Sequence, residues 1–198
     1  GMRVSYMCPA HDRKVTVEEF KRQGFEYPYL HIKDDTLWEW FSAGLRESDV
    51  IIAPSNLAAD FLKGEGCKNV EVIPHGCELP EKAPLLPTQF KVGYLGQVGP
   101  DKGTSYLIQA WEKLNYQDST LILAGSGTER LHDYITQNTN GGKYQLWGFV
   151  ERAWQLYEAC SVYVQPSVVE SFGIEILEAM AHGRPVIASQ GAGASELI

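Results

Sequence analysis

Cysteines and long apolar runs are scarce in this sequence, and both absences narrow the classes of protein to which it can belong. The 198 residues include 4 cysteines, which show neither C-x-x-C nor zinc-ligand spacing. We therefore expect buried thiols in a reducing compartment and no metal site. No apolar run reaches the roughly 20 residues that cross a bilayer, and the start has no signal-peptide core. These absences predict a cytoplasmic protein without a transmembrane segment.

Positive charge is the second scarcity. The chain has 17 Lys and Arg against 25 Asp and Glu, which gives a net charge of −8. Residues 101–198 contain only 6 of the basic side chains but 11 of the acidic ones. A nucleic-acid partner is not expected, because such proteins need clustered Lys and Arg. An anion site in this half would therefore use one of very few cations, or backbone N–H groups.

The remaining composition is that of a folded α/β protein, and its elements alternate. Short β-branched runs and helical patterns follow one another, which is typical of βαβ units on a parallel sheet. We predict strands at 50–53, 69–73, 90–95, 121–124, 144–147, 161–164 and 185–188. We predict helices at 36–47, 56–63, 104–115, 128–137, 151–159 and 173–182, and assign no element to residues 1–35.

A proline-rich stretch suggests how the chain is divided. Three prolines fall between positions 80 and 87 with little periodicity around them, which favours a linker. We predict a partial α/β unit over residues 1–86 and a Rossmann-like, doubly wound parallel sheet over residues 87–198. In such sheets the short loops after the strands bind ligands, and most of the glycines lie in these loops.

The loop at residues 96–103 (GQVGPDKG) is the first candidate for chemistry. It joins a predicted strand to a predicted helix, and its glycines allow a ligand to approach the backbone closely. Lys102 precedes the helix start, where N–H groups favour an anion, so we expect it to contact phosphate. The alternative is a solvated lysine in a turn. The spacing matches neither a Walker loop nor a dinucleotide fingerprint.

The segment 166–185 (PSVVESFGIEILEAMAHGRP) is the second candidate. Its predicted helix is apolar nearly all round, which implies burial, yet it carries Glu175 and Glu178 on one face. Buried carboxylates need donors, which could be ligand hydroxyls or, alternatively, Arg184 within the fold. Just before the helix, Glu170 and three backbone N–H groups form a polar mouth suited to an anion, namely those of Phe172, Gly173 and Ile174.

Glu170 and Glu178 have an E-x7-E spacing that resembles a known family. Four further segments agree in order with that family, at residues 48–55, 72–76, 96–103 and 146–150. The sequence resembles the retaining glycosyltransferases with two Rossmann-like domains, the GT-B fold of family 4 type (glycosyl transferases group 1), over residues 48–198. It departs from the family at His75, where Asn is usual, and at Gln97, where the phosphate loop has Arg.

The resemblance implies a role for each matching residue. Lys102 would bind the donor diphosphate and stabilise leaving-group charge, within a loop that includes Gln97 and Gly99. Glu170, with the backbone of Phe172, Gly173 and Ile174, would face the donor sugar and the distal phosphate. Glu178 would accept hydrogen bonds from the ribose, and the base would pack on Gly148, Phe149 and Val150. Lys102 and Glu170 are thus the expected catalytic residues.

The same resemblance implies a reaction. A sugar, by expectation a hexose, would pass from a nucleoside-diphosphate sugar to an acceptor hydroxyl with its anomeric configuration retained. No D-x-D occurs in the sequence, so we expect neither a metal nor another cofactor; a cation and helix N–H groups would offset the leaving charge. Gln97 leaves that site one positive charge short of the family pattern.

The length implies only part of the family architecture. About 85 residues before the linker are too few for a whole N-terminal domain, so we expect the donor-binding half plus the tail of the acceptor half, incomplete for catalysis. A carbohydrate or lipid-linked acceptor would bind the missing domain, and membrane-peripheral attachment of the intact enzyme stays open. Two alternatives also stay open: a sugar-nucleotide epimerase of the same architecture, and a non-catalytic nucleotide-sugar binding module.

The histidines are expected to lie outside the site. We expect His11 to be a loop residue, with a functional role as the alternative, and His31 and His132 to lie on the surface. His182, followed by Gly183, is expected at the C-terminus of a helix, where a histidine interacts favourably with the helix dipole.

Overall fold

The fold was analysed in a computed structural model, which describes residues 3–4, 9–24, 35–82, 84–139 and 142–198. These residues form two parallel sheets, one of three strands and one of five. No helix within them is both long and apolar enough to cross a membrane.

The first sheet has the strand order β1-β2-β3 and lies before the proline-rich stretch. Its elements are β1 (Arg3–Val4), α1 (Pro9–Arg22), α2 (Asp35–Arg46), β2 (Ile51–Ala53), α3 (Asn56–Gly64) and β3 (Val70–Val72). Ser55 caps α3, because its hydroxyl accepts a hydrogen bond from the N–H of Ala58 at 3.0 Å. Leu45, Ile51 and Leu62 are buried in the core of this unit.

The second sheet has the order β6-β5-β4-β7-β8, and all its pairings are parallel. Its strands are β4 (Phe90–Leu95), β5 (Ser119–Ala124), β6 (Tyr144–Gly148), β7 (Val162–Gln165) and β8 (Val186–Ala188). Its helices are α4 (Thr104–Leu114), α5 (Thr128–Asn138), α6 (Trp154–Ala159) and α7 (Ile174–Ala181), followed by a 3-10 helix (Gly193–Leu197). The expected α/β, Rossmann-like class is confirmed.

The interior strand β5, which lies between β6 and β4, shows why this sheet is doubly wound. All six of its residues are buried. Leu121 and Leu123 belong to the core under α4 and α5, whereas Ile122 belongs to the core under α6 and α7. Since successive side chains of a strand point to opposite faces, β5 must be apolar on both sides.

Two helices differ from their predictions. The predicted helix 151–159 begins only at Trp154. The prediction that α7 is buried all round is wrong, because Ile176 and Ala179 are buried whereas Ile174 and Met180 remain 39% and 41% exposed. Only one face of α7 meets the sheet, and its other apolar side chains reach the surface.

The stretch between β3 and β4 contains no helix or strand among its described residues, 73–82 and 84–89. Arg184 is buried and donates to the carbonyls of Pro84 and Leu85, both at 3.0 Å. The alternative in which Arg184 pairs with Glu175 or Glu178 is therefore wrong, since its guanidinium is directed at backbone carbonyls of this stretch. The domain division at 86/87 stays a prediction.

The positions of the cysteines and histidines agree with the expectations only in part. Cys67 and Cys160 are buried, and burial raises the pKa of the Cys160 thiol to about 11. Cys77 is only half-buried. His132 is exposed and His182 ends α7, as expected. The backbone of His11 lies within α1 rather than a loop. Cys8 and His31 lie outside the described residues.

Contacts join the first unit to the second. The hydroxyl of Ser55 donates to the carbonyl of Ser171 at 2.8 Å, and the N–H of Asn56 donates to the carboxylate of Glu196 at 3.1 Å. On another side, the Tyr106 hydroxyl of α4 donates to Glu19 of α1 at 2.6 Å. The start of α3 is thereby held against the loop that precedes α7.

Candidate functional site

The strand order places one crevice at a defined point of the sheet. β5 and β6 lie on one side of β4, whereas β7 and β8 lie on the other. β4 and β7 are neighbours, and the loops that follow them run in opposite directions from the sheet. Doubly wound sheets bind ligands in the crevice between two such loops. These two loops carry the two candidate segments, residues 96–103 and the start of 166–185.

Backbone contacts fix the loop after β4, which we call the phosphate loop (residues 96–103). The Tyr94 hydroxyl donates to the carbonyl of Gln97 at 2.7 Å, and the Thr104 hydroxyl donates to that of Gly99 at 3.1 Å. The Gln97 side chain itself is exposed. Two hydroxyls thus fix the backbone of the loop, while the Gln97 side chain stays accessible to solvent.

The phosphate loop lies directly against the segment after β7. A Cβ on Gly103 would lie 2.0 Å from the carbonyl oxygen of Pro166, and its φ of +67° also requires glycine. The N–H of Val168 donates to the carbonyl of Asp101 at 2.8 Å. Residues separated by more than sixty positions in the sequence are therefore adjacent here.

Lys102 and Glu170 meet across this junction. The Nζ of Lys102 lies 2.6 Å from Oε2 of Glu170, and the two side chains are 22% and 24% exposed. Burial lowers the pKa of Lys102, whereas the charge and the hydrogen bond of Glu170 raise it. The second effect outweighs the first, so the pKa of Lys102 lies above its ordinary value. The two predicted catalytic residues thus form an ion pair. An anion that binds Lys102 would have to compete with the carboxylate of Glu170.

The N-terminus of α7 forms one side of a cleft. Gly173, at a φ of +85°, precedes the first turn of α7. The N–H of Ile176 donates to the carbonyl of Gly173 at 3.1 Å, and the N–H groups that begin a helix have no carbonyl four residues earlier in the helix to donate to. A cleft of about 360 Å³ is lined by Pro54, His75, Glu170, Ser171, Phe172, Gly173, Ile174 and Glu175. Four predicted site residues, namely Glu170, Phe172, Gly173 and Ile174, therefore share this cleft.

His75 and Glu175 give the cleft its chemical character. The ring of His75 packs edge-on against Phe172, with centroids 4.9 Å apart. Glu175 is half-buried, and this loss of solvation raises the pKa of its carboxyl. The cleft therefore combines an aromatic wall, a helix N-terminus and two acidic side chains.

Glu178 lies one turn further along α7. Its Oε2 accepts a hydrogen bond from the hydroxyl of Tyr157 at 2.7 Å. Its backbone carbonyl lies 2.8 Å from Nδ1 of His182. Neither Glu178 nor Lys102 is among the residues that line the cleft.

The residues predicted to contact a base lie at the end of β6, two strands away from β4. The carbonyl of Gly148 accepts from the N–H of Gly125 at 2.7 Å. Phe149 is 78% exposed, and Val150 packs against the core under α6 and α7. These positions leave an accessible aromatic ring at the carboxyl edge of the sheet, and their role stays a prediction.

Two site residues were missed from the sequence: Tyr94, which supports the phosphate loop, and Tyr157, which contacts Glu178. Glu175, for which the sequence leaves ligand hydroxyls and Arg184 open as partners, lines the cleft. A buried phenol needs an acceptor. The two tyrosines precede the candidate segments, so the need of each hydroxyl for an acceptor could have indicated a contact with those segments.

The fold and the site together define a class of protein: two α/β units, the second a Rossmann-like sheet with a crevice between β4 and β7 where Lys102 and Glu170 meet. Among the described residues, no group of three His, Cys, Asp or Glu side chains is placed to hold a metal. The sequence model of the glycosyl transferases group 1 matches residues 89–198, more than half of the chain. The chain belongs to this family.

Particular relatives agree with the family. An uncharacterized glycosyltransferase of Methanocaldococcus jannaschii is 41% identical over 110 residues, which are 53% of this chain and 28% of the relative. The lipopolysaccharide core biosynthesis mannosyltransferase LpcC of Rhizobium leguminosarum is 29% identical over 174 residues, which are 78% of this chain and 48% of LpcC.

A solved structure agrees as well. The crystal structure of Anabaena HepE in complex with UDP-glucose superposes with a TM-score of 0.68 at 26% identity, covering 78% of this chain and 48% of HepE. The chain thus spans less than half the length of each of these three proteins. These comparisons favour a glycosyltransferase over the epimerase and the binding module.

Proposed function

We propose that this chain is the donor-binding part of a retaining, metal-independent glycosyltransferase. The donor is a nucleoside-diphosphate sugar, and the intact enzyme passes its sugar to an acceptor hydroxyl with the anomeric configuration kept. The observation that carries this proposal is the meeting of Lys102 and Glu170, 2.6 Å apart, at the crevice between β4 and β7. A cation and a carboxylate at this point suit a ligand that offers both phosphate charge and sugar hydroxyls.

The phosphate side of the proposal rests on charge. When the bond between the anomeric carbon and the diphosphate oxygen breaks, negative charge develops on the diphosphate. Lys102 and the first-turn N–H groups of α7 can stabilise that charge without a metal. Gln97 is neutral and exposed, so Lys102 is the main cationic group that the phosphate loop offers.

The sugar and nucleoside sides rest on the carboxylates. Glu170 lines the cleft, where it can accept hydrogen bonds from a sugar hydroxyl once the phosphate has drawn Lys102 away. Glu178 lies further along α7, where it is placed to accept from ribose hydroxyls. The relative HepE was crystallised with UDP-glucose, which supports a nucleotide sugar as the probe of choice.

A donor-binding panel tests the proposal. The 198-residue chain is titrated calorimetrically with UDP, GDP, ADP and the corresponding glucose or mannose conjugates, with and without EDTA. We expect one nucleotide series to bind, and EDTA to leave its affinity unchanged. Failure of every nucleotide to bind would overturn the proposed donor site, and loss of binding in EDTA would overturn metal independence.

One variant and its control test the role of Lys102. Lys102→Ala should weaken a nucleoside diphosphate by about tenfold to a hundredfold, because charged hydrogen bonds contribute about 1.5–3 kcal/mol. It should weaken the free nucleoside very little. Lys113→Ala is the matched control, since Lys113 lies in the last turn of α4 away from the crevice. An unchanged diphosphate affinity in Lys102→Ala would reject the assignment.

A further inference from the structure

A buried tyrosine outside the cleft touches one of the two carboxylates of the site. Tyr157 is completely buried in α6, and its hydroxyl donates to Oε2 of Glu178 at 2.7 Å. α6 packs beside α7, so the bond joins two helices on the same face of the sheet. We propose that Tyr157 is a positioning residue that fixes the Glu178 carboxylate for the ribose hydroxyls of the donor. This inference rests on the proposed function.

The phenol is held from two directions. The ring of Tyr157 makes an edge-on contact with Tyr163, with centroids 5.6 Å apart, and a tilted contact with His182 at 5.3 Å. A ring fixed on both sides leaves its hydroxyl with one direction. Burial and the bond to Glu178 raise the pKa of Tyr157, so the phenol keeps its proton and remains a donor.

The carboxylate is held in a manner that leaves it available. A glutamate side chain has several rotamers, and ordering it at the moment of binding costs conformational entropy. Tyr157 takes one oxygen of Glu178 and fixes the plane of the carboxylate. The other oxygen keeps its lone pairs for a ligand, since each carboxylate oxygen accepts more than one hydrogen bond. His182 holds the backbone of the same residue at its carbonyl.

A positioning role and a merely structural role make different predictions. If Tyr157 only stabilised the fold, its loss would weaken all nucleotides equally. If it positions Glu178, its loss weakens only nucleotides that carry ribose hydroxyls. The ratio of affinities for UDP and 2′,3′-dideoxy-UDP, or for GDP and its dideoxy form, therefore separates the two roles.

The chain contains a matched control for this bond. Tyr144 also donates its hydroxyl to a glutamate, Glu112, at 2.5 Å. Tyr144 begins β6, at the edge of the sheet opposite the crevice. Tyr144→Phe therefore removes the same kind of bond without touching the candidate site.

The experiment measures UDP, GDP and their dideoxy forms by calorimetry on the 198-residue chain, its Tyr157→Phe and Tyr144→Phe variants, and Glu178→Ala. We expect Tyr157→Phe to weaken the ribonucleotide by about threefold to tenfold, the usual effect of one hydrogen bond. The dideoxy form should change little, and Tyr144→Phe should change neither. In the Glu178→Ala background, Tyr157→Phe should have no further effect.

A second variant approaches the bond from the other partner. Glu178→Asp withdraws the carboxylate from both the phenol and the ribose while Tyr157 stays intact, and should show a selective loss at least as large. Equal loss of ribo and dideoxy forms in Tyr157→Phe, or no loss, would overturn the role of Tyr157 while the proposed function stands. The same result in Glu178→Asp would overturn the ribose role of Glu178 and this inference with it. Failure of the unmodified chain to bind any nucleotide would overturn the proposed function and this inference with it.

Discussion

Replacing Glu170 by Gln should make a nucleoside diphosphate bind more tightly, although Glu170 is itself a site residue. The Lys102 ammonium already has a partner in the empty protein, Glu170, at 2.6 Å. A diphosphate must displace that carboxylate and then lie near its charge. Glutamine keeps the shape of the side chain and an oxygen that accepts hydrogen bonds, but it removes the competing charge.

The magnitude follows from how far the pair is buried. Exposed ion pairs contribute about 0–1 kcal/mol, whereas breaking a fully buried pair costs about 3–5 kcal/mol. With side chains 22% and 24% exposed, the Lys102–Glu170 pair lies between these limits, at about 1–2 kcal/mol. Since about 1.4 kcal/mol corresponds to a factor of ten, UDP or GDP should bind about fivefold to thirtyfold more tightly.

The nucleotide sugar should gain less than the free diphosphate. A neutral amide oxygen accepts a weaker hydrogen bond from a sugar hydroxyl than a carboxylate does. The preference of the chain should therefore shift from UDP-glucose towards UDP, or from GDP-mannose towards GDP. This shift separates the loss of a sugar contact from a general change in the site.

Calorimetric titration of the free and sugar-bearing nucleotides measures both effects, and added salt should reduce the gain because it screens the same charges. Glu175→Gln is the control, since it removes a charge from the same cleft but leaves the ion pair of Lys102 in place. It should give a smaller gain. An unchanged or weaker diphosphate affinity in Glu170→Gln would refute the reasoning.

Three further expectations concern the loop, the helix and the missing charge. Gly103→Ala should destabilise the fold by at least about 2 kcal/mol in urea denaturation, because its Cβ would lie 2.0 Å from the Pro166 carbonyl oxygen at a positive φ. Gly76→Ala, where a Cβ meets nothing within 4 Å, should change little, and equal stability of the two variants would contradict this account. Burial raises the pKa of Glu175 above its ordinary 4.5, so the folded state holds that proton more tightly and stability should fall as pH rises above 4.5. Glu175→Gln should therefore be more stable than the unmodified chain at neutral pH, with a difference that disappears towards pH 4.5; parallel pH profiles would argue against it. Gln97→Arg should tighten UDP or GDP by about fivefold in low salt, since it restores a charged donor worth about 1 kcal/mol at an exposed position, and a gain insensitive to salt would speak against a direct phosphate contact.

The strands of the second sheet were the most predictable part of the fold. β4 (Phe90–Leu95) has the predicted bounds, because a β-branched and aromatic run is followed at once by a glycine loop. The α7 helix starts after Gly173, where the left-handed backbone marks a boundary. Local patterns were sufficient for such elements, because the apolar residues that form the core and the glycines that form the turns are adjacent in the sequence.

Helix α1 shows what local patterns leave out. Its sequence is polar, and among its side chains that the structure describes, those of residues 14–22, the buried one is Glu19. Glu19 accepts from Tyr106 and Gln23 and lies 3.2 Å from Arg22. A polar docking surface produces no apolar stripe, so periodicity predicted no helix there. Its main partner, Tyr106, lies far away in the sequence and only the fold brings the two together.

The candidate site divides in the same way. Lys102, Glu170 and Glu178 were found from motif spacing, but the partners of each side chain were not. The ion pair joins residues 68 positions apart, and the acceptors of Arg184 are two backbone carbonyls rather than a glutamate. Residue types predict which groups need partners; the choice among several partners depends on packing that no single segment encodes.

Pro54 and His75 supply one wall of the cleft, although both precede the proline-rich stretch. The opposite wall comes from the loop before α7, and the Ser55–Ser171 hydrogen bond joins the two sides. The width of the cleft therefore depends on the relative position of the two α/β units. A relative movement of the two units that broke this one hydrogen bond would change the volume of the cleft before any residue of the phosphate loop had moved.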